Sequence, residues 1–309
     1  MPVSSRLARL LRTVCGVQVL FIVAVVAWRW PTAPAQAILG AILIAAIAPI
    51  VLAIEFVLLA TVARHDTVPR ARAPQLARAW AGEVADLLRV FYWRLPFRWN
   101  VVPDFLDPAG AGRTGVVLIH GFVCNRGFWT PWLHRLRDQR RACIAVNLEP
   151  VFGSIDDYVP IIEDAVTRVT RLTGRPPVLV CHSMGGLAAR AWLRGAGSAS
   201  RVAHVVTIGT PHRGTWLGRF SSMRNGREMR QHSGWLSGLE RVEALQPLPP
   251  CTCWYSNCDN IVFPPSTATL PGAENRLVAG LAHVAMAFHP PLVDATFLLL
   301  ETPMGSAGK

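Results

Sequence analysis

The sequence predicts an α/β domain, a mostly parallel central sheet with helices on both faces, behind two apolar helices. Three observations carry this. From about residue 114, short β-branched runs recur, separated by stretches with helix-like spacing. These runs are apolar on both faces, as strands buried in a parallel sheet must be. Before residue 64 stand two long apolar runs nearly free of charge.

Strands are expected at 115–120, 142–148, 177–182, 202–208, 251–256 and 276–281, with helical segments at 128–140, 156–173, 184–195 and 290–301. Their alternation defines the α/β class. The segment 111–309 is long enough for one such domain.

The first apolar run, 14–28, carries no charge and extends to Trp30; the second, 37–63, is broken only by Glu55. Both read as membrane spans, about 13–30 and 37–60, giving a hairpin over 1–63. Trp28 and Trp30 suit the membrane interface. Pro49 is a potential kink. Glu55 falls near the end of its run, at headgroup level rather than in a functional intramembrane site. A rival reading takes Arg6, Arg9, Arg12, the first run and "APAQA" as a signal peptide. Residues 64–110 form a basic, Pro-broken and then amphipathic connector, placed on the membrane surface or packed on the domain beside it.

The net charge of +12 is nearly all arginine, the one lysine being Lys309. It serves solubility or attraction to anionic lipid; no nucleic-acid-binding signature accompanies it. The cysteines number seven, an odd count. Several sit in apolar runs as small hydrophobes, which favours a reducing compartment. "CTCWYSNC" (251–258) lacks the paired CxxC and the histidines of a zinc site.

The chemistry centres on "VLVCHSMGGLAAR" (178–190), where an apolar strand meets Ser183 and a helix follows at once. A serine hydroxyl needs a base to take its proton, and it must be exposed while its backbone is held. A strand-turn-helix bend does both and aims a helix N-terminus at developing negative charge. The usual pattern is G-x-S-x-G; here Cys181 replaces the first Gly, and Gly185 the second holds.

With this bend the chain resembles the α/β-hydrolase superfamily, and within it the bacterial lipases and esterases of triacylglycerol-lipase type. "VVLIHGF", "CHSMGGLAAR", "TIGTPHRGT", "YSNCDNIVFP" and "GLAHVAM" stand in the family's order over about 115–290. The resemblance implies an α/β-hydrolase fold and a triad ordered Ser, acid, His. His204, His212, His232, His283 and His289 lie downstream of Ser183. His283 follows the last strand and is the expected base, with His289 its rival. Asp259 directly follows a strand and is the expected acid; Asp294 would come after the histidine, against the order. The oxyanion hole is expected from the backbone N–H groups of Met184 and Phe122. His120 shapes the oxyanion loop, braced by Asn125 and Arg126, and His182 packs.

The arginine- and tryptophan-bearing segment about 212–250 lies where these enzymes carry a cap, either a mobile lid or a rigid one. The expected activity is a membrane-anchored serine hydrolase of carboxylic, lipid esters working through an acyl-enzyme. No metal or organic cofactor is implied, and the expected partners are an ester substrate and membrane lipid, without nucleic acid. The same triad also serves acyltransferases and thioesterases. A non-catalytic membrane-protein partner fits less well, since Ser, Asp and His are all present in order, and two spans without a polar path do not make a transporter.

Three arginines precede the first run, Arg64, Arg70, Arg72 and Arg78 follow the second, and only Arg29 lies between. Because basic residues stay on the cytoplasmic side, the chain is expected to be a two-pass inner-membrane protein with its domain in the cytoplasm. Signal-peptide cleavage near Ala37 would instead place the domain on the periplasmic face.

Overall fold

The computed structural model describes residues 5–196, 199–245 and 248–301. Helices α1 (Arg6–Arg29) and α2 (Pro34–Val62) form an antiparallel pair. They pack closely at Gly40, where a Cβ would come within 2.9 Å of Val25. Phe21, Val23, Ile42 and Leu43 point outward, more than half exposed. Helix α1 begins before the expected 13 and ends at Arg29, α2 overruns 37–60 at both ends, and α2 continues helical through Pro49. At 1.5 Å per residue they measure about 36 and 44 Å, longer than an acyl core of about 30 Å. Their domain-side ends pack on the rest of the chain. Leu7 and Ala8 in the first turn of α1 are buried, as are Phe56 and Leu59 late in α2.

The connector folds as α3 (Ala73–Asp86), a π-helical continuation Leu87–Arg94 and the short α4 (Leu95–Phe97). It packs inward through Ala79, Glu83, Val90 and Leu95, while Leu88, Trp93 and Phe97 stay exposed. Trp80 Nε1 donates to Pro49 O, and Tyr92 Oη donates to Gln18 of α1.

The sheet contains six parallel strands: β1 (Val116–Ile119), β2 (Cys143–Ala145), β3 (Val178–His182), β4 (His204–Ile208), β5 (Cys251–Tyr255) and β6 (Glu274–Leu277). Their order is β2-β1-β3-β4-β5-β6. Side chains alternate between two cores, as the pleat requires. Val116, Leu118, Val178 and Val180 meet Trp129, Trp132 and Phe297, from the segment around α5 (Thr130–Asp138) and from α11 (Pro290–Glu301). Val117, Ile119, Leu179 and Cys181 meet α6 (Val159–Thr173) and α7 (Met184–Ala196). Each large apolar side chain so enclosed contributes about 1.5–3 kcal/mol.

Two strand expectations need correction. The strand expected at 142–148 ends at Ala145; Val146 N–H still reaches Leu118 O, and beyond it the Leu148 N–H bonds the His120 ring. The strand expected at 276–281 runs Glu274–Leu277, an edge strand with mostly exposed side chains. Residues 278–281 leave it through a turn in which Gly280 takes φ +83° and its N–H is capped by Asn257.

The segment 212–250 holds a 3₁₀ turn Trp216–Phe220, α8 (Arg224–Glu228) and α9 (Gly234–Glu243). It is bound to α7 by the buried Arg190–Glu243 pair and to Ser154 and Ile155 by Glu228. Several of its arginines bond locally: Arg230 to Gly218 O and Ser221 O, with Arg219 over the Trp216 ring at 4.2 Å.

Candidate active site

Ser183 stands between β3 and α7 with φ +55°, a left-handed conformation that costs a non-glycine residue about 1–3 kcal/mol. The surroundings hold it there. Its N–H donates to Ile208 O, and its carbonyl accepts from Thr210 Oγ1 at 2.9 Å. Two glycines make the bend possible. A Cβ at Gly185 would lie 2.4 Å from Ile119 O, and one at Gly186 would lie 2.3 Å from Thr210 Oγ1. Cys181, where Gly is usual, fits because its small side chain is wholly enclosed in the core.

Asp259 follows β5 and is buried. Its Oδ1 accepts from the N–H groups of Ile261 and Val262, which anchors the carboxylate. His283 opens the short helix α10 (His283–Met286), and its Nδ1 lies 2.9 Å from both Asp259 oxygens. Burial disfavours the imidazolium, but the Asp259 carboxylate outweighs it, with Glu83 and Glu55 adding, so His283 is raised above its ordinary 6.5. The rival His289 is neither bonded to a carboxylate nor at the cavity described next, and His212 is buried against Thr207, Cys253 and Arg190.

Ser183 and His283 line one cavity of about 230 Å³, together with Phe122, Val123 and Cys124 from the loop after β1. Gly121 in that loop touches Ser183: a Cβ there would stand 2.7 Å from Ser183 Cβ. Met184 is the first residue of α7, so its N–H has no partner inside the helix. Phe122, in the adjoining loop, lines the same cavity.

The other polar residues build this loop. Leu148 N–H donates to His120 Nε2, so Nδ1 bears the proton and faces Gly121 O at 2.9 Å. Burial pushes His120 down to about 4, which keeps it neutral. Asn125 bonds Gly127 N and Leu95 O, and Arg126 bonds Val102 O, Ala145 O and Asp104. His182 stacks on Phe128 at 4.5 Å, and burial holds it well below its ordinary range.

Two cavity residues were not among the expected site residues: Glu55 of α2 and Glu83 of α3. Leu52, Leu87 and Phe91 join them from the same N-terminal helices. Helix α2 docks on the domain and turns the Glu55 side chain into the cavity, where it meets Asn260. The available signal was a lone acid in an apolar run. Among the described residues, none of 212–250 lines this cavity; the segment is bound to α7 and to Ser154–Ile155.

The fold and this constellation are those of a hydrolase of the α/β type. The family model of the alpha/beta hydrolase family matches residues 116–301, and the chain belongs to that family. Among solved structures, the mature lipase BlEst2 of Bacillus licheniformis is similar at TM-score 0.55 and 16% identity, over 61% of this chain and 92% of that one. Aspergillus fumigatus lipase B gives 0.58 and 16%, over 65% of this chain and 55% of that one. Phospholipase PlaB of Legionella pneumophila gives 0.50 and 13%, over 62% and 60%. At these identities the likeness is one of fold. No curated protein sequence matches the chain.

Proposed function

We propose that this chain is a membrane-anchored serine hydrolase of carboxylic, lipid esters. The observation that carries the reading is one cavity lined by a strained Ser183 and by His283, whose Nδ1 is held by buried Asp259. Ser183 Oγ attacks the ester carbonyl while His283 Nε2 takes its proton. Asp259 keeps the ring in the required tautomer and stabilises the imidazolium. The N–H groups of Met184 and Phe122 receive the oxyanion. His283 then protonates the departing alkoxide, leaving an acyl-enzyme that water hydrolyses by the same steps.

Lipid esters are favoured because Leu52, Leu87, Phe91 and Ile261 give the cavity an apolar wall. Leu52 belongs to a helix apolar enough to cross a membrane, which lets an acyl chain reach Ser183 from a bilayer. In this reading 1–63 is the hairpin, 64–110 the connector and 111–309 the catalytic domain with its cap at 212–250. The arginine count puts that domain in the cytoplasm, and the free cysteines agree with a reducing compartment.

The test is fluorophosphonate labelling of the detergent-purified chain, followed by p-nitrophenyl esters of rising chain length. Labelling should map to Ser183 and vanish in Ser183→Ala along with ester turnover; wild-type turnover in that variant overturns the reading. Topology is tested by separate alkaline phosphatase and fluorescent-protein fusions at Lys309. An active phosphatase with a dark fluorescent fusion would place the domain in the periplasm.

A further inference from the structure

Two carboxylates from outside the hydrolase domain, buried Glu83 and half-buried Glu55, reach the residues that follow the acid and the base. Asn260, next to Asp259, donates through Nδ2 to Glu55 Oε2 at 2.7 Å. The same Asn260 accepts the His283 N–H through Oδ1 at 3.3 Å. Val284, next to His283, donates its N–H to both oxygens of Glu83, at 3.1 and 3.2 Å. Asn260 is fully buried and Glu83 is 4% exposed. Apolar contact supports the docking, since Phe56, Leu59 and Ala79 share one cluster with Cys258, Phe263 and Ala282.

We propose that Glu55 and Glu83 are positioning residues for catalysis, through which the N-terminal helices hold the Asp259 and His283 loops and set the charge around the imidazole. The proposal rests on the triad reading above. A buried carboxylate is costly unless bonded, so its retention at both loops needs a return. One return is geometric: each loop has an anchor at the residue after its functional side chain. The other is electrostatic. The groups facing His283 are Asp259 from the loop after β5, Glu55 from α2, Glu83 from α3 and neutral His182 from β3. Asp86 stands near Glu83, and burial pushes Glu83 up to about 7. Negative charge at Glu55 and Glu83 favours the imidazolium that forms as Ser183 loses its proton.

The full chain in detergent is assayed as wild type, Glu83→Gln, Glu83→Ala, Glu55→Gln and Ser183→Ala, with kcat, KM and the pH profile of kcat/KM. Glutamine keeps an acceptor of the same shape and removes the charge. Glu83→Gln and Glu55→Gln should each move the acid limb to lower pH, because His283 loses an anion; the shift at Glu83 is partial, since that carboxyl, held near 7, carries only part of its charge where His283 titrates. Glu83→Ala should also lose about 10²-fold in kcat with little change in KM, from a displaced His283 loop. Should the alanine variant fail to fold, the two glutamine variants decide. Inactive Ser183→Ala beside glutamine variants with wild-type kcat and acid limb overturns this proposal alone. Active Ser183→Ala overturns the triad reading instead.

Discussion

Replacing Gly121 by alanine tests the geometry of the site with a single methyl group. The new Cβ would lie 2.7 Å from Ser183 Cβ, 3.2 Å from His182 O and 3.3 Å from Ser183 Oγ, against an ordinary contact of 3.4–4 Å. Ser183 is fixed on its other sides by Ile208 O and Thr210, and it already holds a left-handed backbone, so it has little freedom to retreat. The loop 121–124 and Ser183 must share a displacement of about 0.7 Å, at an overpacking cost of about 1–3 kcal/mol. The same shift moves the nucleophile relative to His283 and the Phe122 N–H. A misplacement on this scale lowers catalysis by about 10²-fold. The assay is kcat/KM on a p-nitrophenyl ester, the rate of fluorophosphonate labelling and the thermal midpoint. Gly238→Ala is the control: it lies within α9 with no heavy atom near the new Cβ, and should gain about 0.5–1 kcal/mol at unchanged kcat/KM. A Gly121→Ala enzyme with wild-type kcat/KM and labelling rate would refute the argument that this contact sets the nucleophile.

Asp259→Asn should lower kcat by about 10⁴-fold, because an amide stabilises the wrong tautomer of His283; single-turnover kinetics measure it, and a loss under tenfold would move the acid elsewhere. Since the neutral imidazole is the base and Asp259 holds it above 6.5, wild-type kcat/KM should fall as pH drops through a midpoint above 6.5. His120 and His182 are held low by burial and stay neutral across that limb, so a midpoint below the ordinary 6.5 would contradict the assignment. Glu243→Ala should cost about 3–5 kcal/mol by leaving Arg190 buried without its carboxylate, read as a lower thermal midpoint. Ester kcat at a temperature where that variant is folded should change little, as Glu243 does not reach the cavity at Ser183.

What was legible in the sequence was local. The strand-to-helix bend at Ser183 shows in a β-branched run, small residues at 185 and 186 and an immediate helical period. Strands β1 to β5 show in their composition, and α1 and α2 in runs of apolar residues too long for an ordinary core helix. Asp259 and His283 were within reach because each follows a strand, and strand ends of a parallel sheet share one edge. The edge strand β6 was misplaced for a related reason: its exposed residues Glu274 and Asn275 lack the apolar signature of the central strands. Only the tertiary structure decided which parts of the chain enclose the serine. Glu55 meets Asn260 across a sequence separation of 205, and Glu83 meets Val284 across 201. Such contacts depend on how α2 and α3 dock, which is a sum of many weak apolar contacts with no local pattern. The same sum set the 212–250 segment against α7 and left the N-terminal helices to line the cavity at Ser183.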